Sequence, residues 1–115
     1  MKNNQLTSLI IELKKQSIQN NVNIWKRIAS DLEGPTSRRR VVNLSRINRY
    51  AKANDIVVVP GKVLSMGEID KKLTIAAHAF SGNAIEKIRN SGSKAISINE
   101  LIKENPKGSK VRIIG

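Results

Sequence analysis

The chain has no cysteine, which excludes disulfides, zinc ribbons and thiol nucleophiles and points to an intracellular setting. Aromatic side chains make up only 3% of it, as one tryptophan, one tyrosine and one phenylalanine. Trp25, Tyr50 and Phe80 are scattered along the chain, so the aromatic platform on which single strands stack is not expected. Nowhere do ~18 consecutive apolar residues occur, the length of a membrane span. The N-terminus MKNNQLTSLIIELKKQ lacks a signal-peptide cleavage pattern. The expectation is a soluble, cytoplasmic protein.

Catalytic and metal chemistry are equally short of residues. His78 is the only histidine, and without thiolates a metal site would have to gather carboxylates from distant positions. Flanked by Ala77 and Ala79, His78 reads as a hydrogen-bonded structural or surface residue. Asp31/Glu33 and Glu68/Asp70 are pairs of the type that general acid–base catalysis uses, yet each sits beside lysines or at the end of an element and reads as surface charge. Pro60-Gly61-Lys62 after an apolar run evokes a phosphate loop. That motif requires a glycine five residues before the second one and Ser or Thr after the lysine, where this chain has Ile56 and Val63; Gly61-Lys62 reads instead as a tight turn whose lysine meets phosphate or solvent. No enzyme, cofactor, metal or small-molecule substrate is expected.

What the chain has in excess is positive charge. Its 115 residues carry 21 Lys and Arg against 9 Asp and Glu, a net charge of +12. The stretch GPTSRRRVVNLSRINRYAK, Gly34 to Lys52, contains Arg38, Arg39, Arg40, Arg46, Arg49 and Lys52 and no acidic residue. Half of the net charge therefore lies in one short segment, a self-repulsion that a polyanion relieves. Arginine presents a planar fork that matches phosphate bidentately. A membrane-surface helix would need a broad apolar face above these charges, and the segment lacks one. Nucleic acid remains, as folded RNA or duplex DNA, and about six neutralised phosphates imply a roughly thousandfold loss of affinity between 50 and 200 mM salt.

Apolar periodicity places the segment in a fold. Leu6, Leu9, Ile10 and Leu13 predict a first amphipathic helix; Val22, Trp25, Ile28, Ala29 and Leu32 predict a second, stopped by Gly34-Pro35. Trp25 reads as core. Pro35, Thr36 and Ser37 form a hinge-like lead into the arginines, and Val41-Val42 a brief extended segment. Leu44, Ile47 and Ala51 then share a helix face, which turns Arg46 and Arg49 outward. Ile56 to Val59 is a β-branched run of buried-strand character, bounded by Pro60-Gly61. Strands are also expected around Leu73 to Phe80, Ala95 to Ile98 and Val111 to Ile114. A helix carrying Ala84, Ile85 and Ile88 ends at Ser91-Gly92, and a last one, capped by Ser97 or Asn99, carries Leu101 and Ile102. Strands alternating with short helices predict an α/β domain. A chain of this length makes one domain that buries roughly two-thirds of its unfolded surface. Its expected parts are an N-terminal helical hairpin (1–33), a basic loop and helix (34–54) and an α/β core (55–115). Lys107-Gly108-Ser109-Lys110, with Arg112, is a second basic stretch.

Three separated blocks carry a family resemblance: Val42-Asn43-Leu44-Ser45-Arg46-Ile47 after the arginine run, DIVVVPGKVLSMGEIDKKLTIAAHAFSGNAIEKI, and the ending ENPKGSKVRIIG. Together they resemble the archaeal form of the large-ribosomal-subunit protein numbered eighteen in archaea and eukaryotes, over essentially the whole chain. That family is similar in fold to the bacterial large-subunit protein numbered fifteen, which implies an irregular superhelix of β-β-α turns. It further implies a structural role on large-subunit ribosomal RNA, with neighbouring ribosomal proteins as partners, one copy per subunit, and no catalytic residues. By match to the family's basic segment, Ser37, Arg38, Arg39, Arg40, Asn43, Arg46 and Arg49 would face RNA, with Lys52 beside them and Lys62, Lys107, Lys110 and Arg112 as secondary contacts. The alternatives are a chromatin-like protein that binds DNA without regard to sequence and a ribosome assembly factor.

Overall fold

Leu6, Leu9 and Leu13 point inward from α1 (Asn4–Asn20), and Trp25, Ile28, Ala29 and Leu32 from α2 (Asn23–Glu33). The computed structural model describes residues 4–34 and 40–115. The chain turns between the two helices at Asn21, φ 52°, a left-handed conformation that asparagine tolerates better than most residues. This hairpin packs on the sheet, because its buried residues share one apolar cluster with Val58, Ala76, Ile96 and the Ile98, Leu101 and Ile102 of α5 (Ile98–Glu104). Trp25 is fully buried, and its indole Nε1 donates to the Pro106 carbonyl at 2.6 Å. One polar atom of the ring is thereby satisfied in the core.

Five strands form the sheet: β1 (Arg40–Asn43), β2 (Ile56–Leu64), β3 (Thr74–Phe80), β4 (Lys94–Ser97) and β5 (Val111–Ile113). All pairings are parallel. The order runs β1-β2-β3-β4, with β5 also on β2. Alternation along β2 sends Val57 and Val59 to one face and Val58 to the other, so the β-branched run serves two cores at once. On the face opposite the hairpin lie α3 (Leu44–Tyr50) and α4 (Gly82–Asn90), through Leu44, Ile47, Ala84 and Ile88. Ser81 and Ser97 cap α4 and α5, their hydroxyls accepting from the amides of Ala84 and Glu100. Strands β2 and β3 are joined by residues 65–73 without a helix, and α4 follows β3 directly. The resulting β-β-α turn is of the kind the resemblance implies.

One expectation is corrected. Pro60-Gly61 does not end the strand, and Gly61-Lys62 is not a turn: β2 continues to Leu64, with a register shift between Val59 and Lys62. Pro60 gives up a ladder hydrogen bond where the ladder is already irregular. Gly61 is buried against Arg40, where a Cβ would stand 1.9 Å from the Arg40 carbonyl oxygen. Close approach of the two strands selects the glycine here.

Candidate nucleic-acid interface

A helix of seven residues such as α3 is too short to persist alone; here tertiary contacts hold it from two sides. Leu44 and Ile47 are fully buried beneath it. The crossover 65–73 runs alongside: Ser45 N–H donates to the Met66 carbonyl at 3.0 Å, Met66 N–H to Asn43 Oδ1 at 3.2 Å and Asp70 N–H to Asn48 Oδ1 at 3.1 Å. The Lys71 ammonium closes the helix by donating to the Asn48 and Ala51 carbonyls at 2.7 and 2.9 Å, a cation at the negative end of the helix dipole. Lys87 fixes the crossover in turn, donating to the carbonyls of Ser65 and Gly67 and pairing with Glu68 at 3.3 Å. Two lysines that sequence reading counts only as charge are thus bound up in structure.

With its inner face committed, α3 presents Arg46 and Arg49 to solvent. Among the described residues neither has an acidic partner. Both guanidinium groups lie over the ring of Tyr50, 5.1 and 5.7 Å from its centre, within cation–π range.

The sheet adds further cations on the same face. β3 takes one edge of β2 along its length, so β5, in register with Ile56 to Val58, and β1, in register with Gly61 to Leu64, follow each other along the other edge. At their junction Gly115 lies so near Arg40 that a Cβ there would overlap that side chain. Val42 and Ile114 are buried in the cluster that includes Leu44 and Ile47. Two residues before each, on the same side of the extended chain, stand Arg40 and Arg112, both exposed. Arg46, Tyr50, Arg112 and the Ile113–Gly115 end line one hollow. Arg112 Nε is 3.4 Å from Asp55 Oδ2, and the same oxygen accepts the Lys52 N–H at 2.8 Å. Asp55 therefore offsets part of the Arg112 charge.

The structure thus brings together Arg40, Arg46, Arg49 and Arg112. Lys52 stands two residues past the end of α3, with its side chain exposed. The Asn43 side-chain oxygen, by contrast, is engaged by Met66. Lys62 is in register with exposed Val41 and alternates with buried Val63, which places it on the other face of the sheet edge. Lys107 and Lys110 are exposed at the opposite end of β5, in the turn whose Gly108 rests against Val22, Ile24 and Trp25. Ser37, Arg38 and Arg39 lie outside the described residues. His78 is half-buried within β3. Sequence reading missed Tyr50 and Asp55 as parts of the site. The spacing of Arg46 and Tyr50, four apart on a helix, was the available signal for the tyrosine, and only tertiary structure places Asp55 near Arg112.

Among the described residues no group of three or more His, Asp or Glu is placed to hold a metal ion, and no helix is long and apolar enough to cross a membrane. Residues 20–96 match the model of a family described as ribosomal proteins 50S-L15 and 50S-L18e and a 60S ribosomal protein. The chain is 47% identical over 112 residues to the large ribosomal subunit protein eL18 of Methanoregula boonei, covering 97% of this chain and 93% of that one. The proteins of the same name from Archaeoglobus fulgidus and Methanococcus maripaludis are 46% and 44% identical over 97% of this chain, and 96% and 93% of theirs.

Proposed function

Because the chain belongs to the ribosomal protein family of 50S-L15, 50S-L18e and a 60S ribosomal protein, a family of structural proteins and not of enzymes, we propose that it is a structural constituent of the large ribosomal subunit. It holds folded large-subunit ribosomal RNA through the arginine-rich segment and stabilises the tertiary arrangement of the RNA. In this role it acts in the cytoplasm as one copy per subunit, among neighbouring ribosomal proteins.

The observation that carries the reading is the surface made by Arg40, Arg46, Arg49 and Arg112, where among the described residues a single carboxylate, Asp55, pairs with one of the four. Like charges so gathered repel unless an anion lies across them. A phosphate backbone passing over α3 and the β1–β5 edge supplies such charge at regular intervals. Ser37, Arg38, Arg39, Asn43 and Lys52 extend the primary contact, and Lys62, Lys107 and Lys110 touch RNA at secondary points. The cations sit on elements pinned by buried leucine and isoleucine, so little side-chain support has to be ordered when RNA arrives.

The test is titration of the purified chain against an in vitro transcript of large-subunit ribosomal RNA and against duplex DNA of equal length, from 50 to 200 mM KCl. A clear preference for the transcript, with affinity falling about a thousandfold across that range, supports the reading. Equal affinity for both would favour the sequence-independent DNA binder.

A further inference from the structure

We infer that Tyr50 is a stacking site for one unpaired nucleobase of the RNA, an inference that rests on the RNA reading above. Of the three aromatic side chains, Trp25 is buried completely and Phe80 packs against the core, whereas Tyr50 is 49% exposed at the end of α3. It stands inside the arginine cluster. Arg46 and Arg49 lie over its ring, and it lines two hollows, one with Ser45, Arg46 and Arg49, the other with Arg46, Arg112 and the Ile113–Gly115 end. The second hollow joins the Tyr50 ring and the Ile113–Gly115 end to the side chains of Arg46 and Arg112. An exposed aromatic ring among cations differs from a surface made for phosphate alone, which needs donors only.

A nucleotide whose base is turned out of a helix has the matching chemistry. Its flat, weakly hydrated base seeks an aromatic or guanidinium plane, while the phosphates on either side of it carry the negative charge. A base that stacks on Tyr50 takes the place of a guanidinium over the ring, and that arginine, with Arg112 nearby, turns to the flanking phosphates. Every base has a π face, so the site selects an unpaired nucleotide, such as a bulge or loop base, and not a particular letter. A single tyrosine is enough for one base; the scattered aromatics exclude an extended platform and leave this local role open.

Tyr50→Phe and Tyr50→Leu, with the wild-type chain, are titrated against the large-subunit ribosomal RNA transcript across a range of KCl. In parallel, the wild-type complex is cross-linked at 254 nm and the linked peptide and nucleotide are identified by mass spectrometry. The expected result is that Tyr50→Phe binds like wild type, while Tyr50→Leu loses roughly tenfold in affinity with an unchanged slope of log affinity against log salt. The cross-link is expected to join Tyr50 to an unpaired nucleotide. The cross-link uses the unaltered chain, so it decides the matter even if Tyr50→Leu fails to fold. Wild-type affinity in Tyr50→Leu, a shallower slope showing that the ring merely positions the arginines, or absence of a Tyr50 cross-link would overturn the stacking site alone. A wild-type chain with no preference for the transcript over duplex DNA would overturn the RNA reading and this inference together.

Discussion

Gly61 on β2 and Arg40 on β1 lie side by side, so close that a Cβ on the glycine would stand 1.9 Å from the arginine carbonyl oxygen. The approach lets β1 join the sheet edge just beyond β5, and with it sets Arg40 and the start of α3. Gly61→Ala forces β1 away from β2. Overpacking of this kind costs about 1–3 kcal/mol, which urea unfolding would register, and the folded variant is expected to bind the transcript several-fold more weakly because Arg40 and α3 shift with the strand.

Lys71 belongs to the fold rather than to the exposed arginine surface, since its ammonium donates to two carbonyls at the end of α3. Lys71→Met keeps most of the apolar stem and removes the donors. Hydrogen bonds from a charged group contribute roughly 1.5–3 kcal/mol each when buried and less at a half-exposed site, so a loss of about 1–2 kcal/mol in urea unfolding is expected. The slope of log affinity against log salt should stay at the wild-type value, because the Lys71 ammonium is taken up by the two carbonyls and not by phosphate.

Arg46 and Arg49 carry the converse expectation. Their side chains are exposed and without acidic partners among the described residues. Alanine at either position should change stability by less than about 0.5 kcal/mol, yet lower the magnitude of the salt slope by about 1. Arg112→Ala should lower affinity less than Arg46→Ala does, because Asp55 already offsets part of the Arg112 charge. Filter binding at several salt concentrations compares the three directly.

Trp25 joins the hairpin to the loop before β5. Trp25→Ala removes a fully buried ring, at a cost of about 3–5 kcal/mol. Trp25→Phe keeps much of the volume and mainly loses the hydrogen bond to the Pro106 carbonyl, so roughly half that cost is expected. Chemical denaturation of the two variants separates packing from hydrogen bonding.

Local periodicity made much of this legible. Leu44 and Ile47 mark the buried face of α3, and from that face the outward direction of Arg46 and Arg49 follows. The valines of β2 announce a strand covered on both sides. What periodicity does not carry is the meeting of distant segments. Pro60-Gly61 has the local chemistry of a turn, and only the presence of β1 beside it explains why the strand runs on. Likewise β5 and β1 are far apart in the chain, and their succession along one edge of β2 is what sets Arg112 and Tyr50 beside one hollow. Lys71 and Lys87 look like free surface charge until the carbonyls they close are in place.

Sedimentation of a native cell lysate on a high-salt gradient, with this chain followed by mass spectrometry, tests the structural ribosomal role most directly. Co-migration with mature large subunits at one copy each is the predicted result. Loss to the free or DNA-bound fraction, or confinement to immature particles as for an assembly factor, would contradict it.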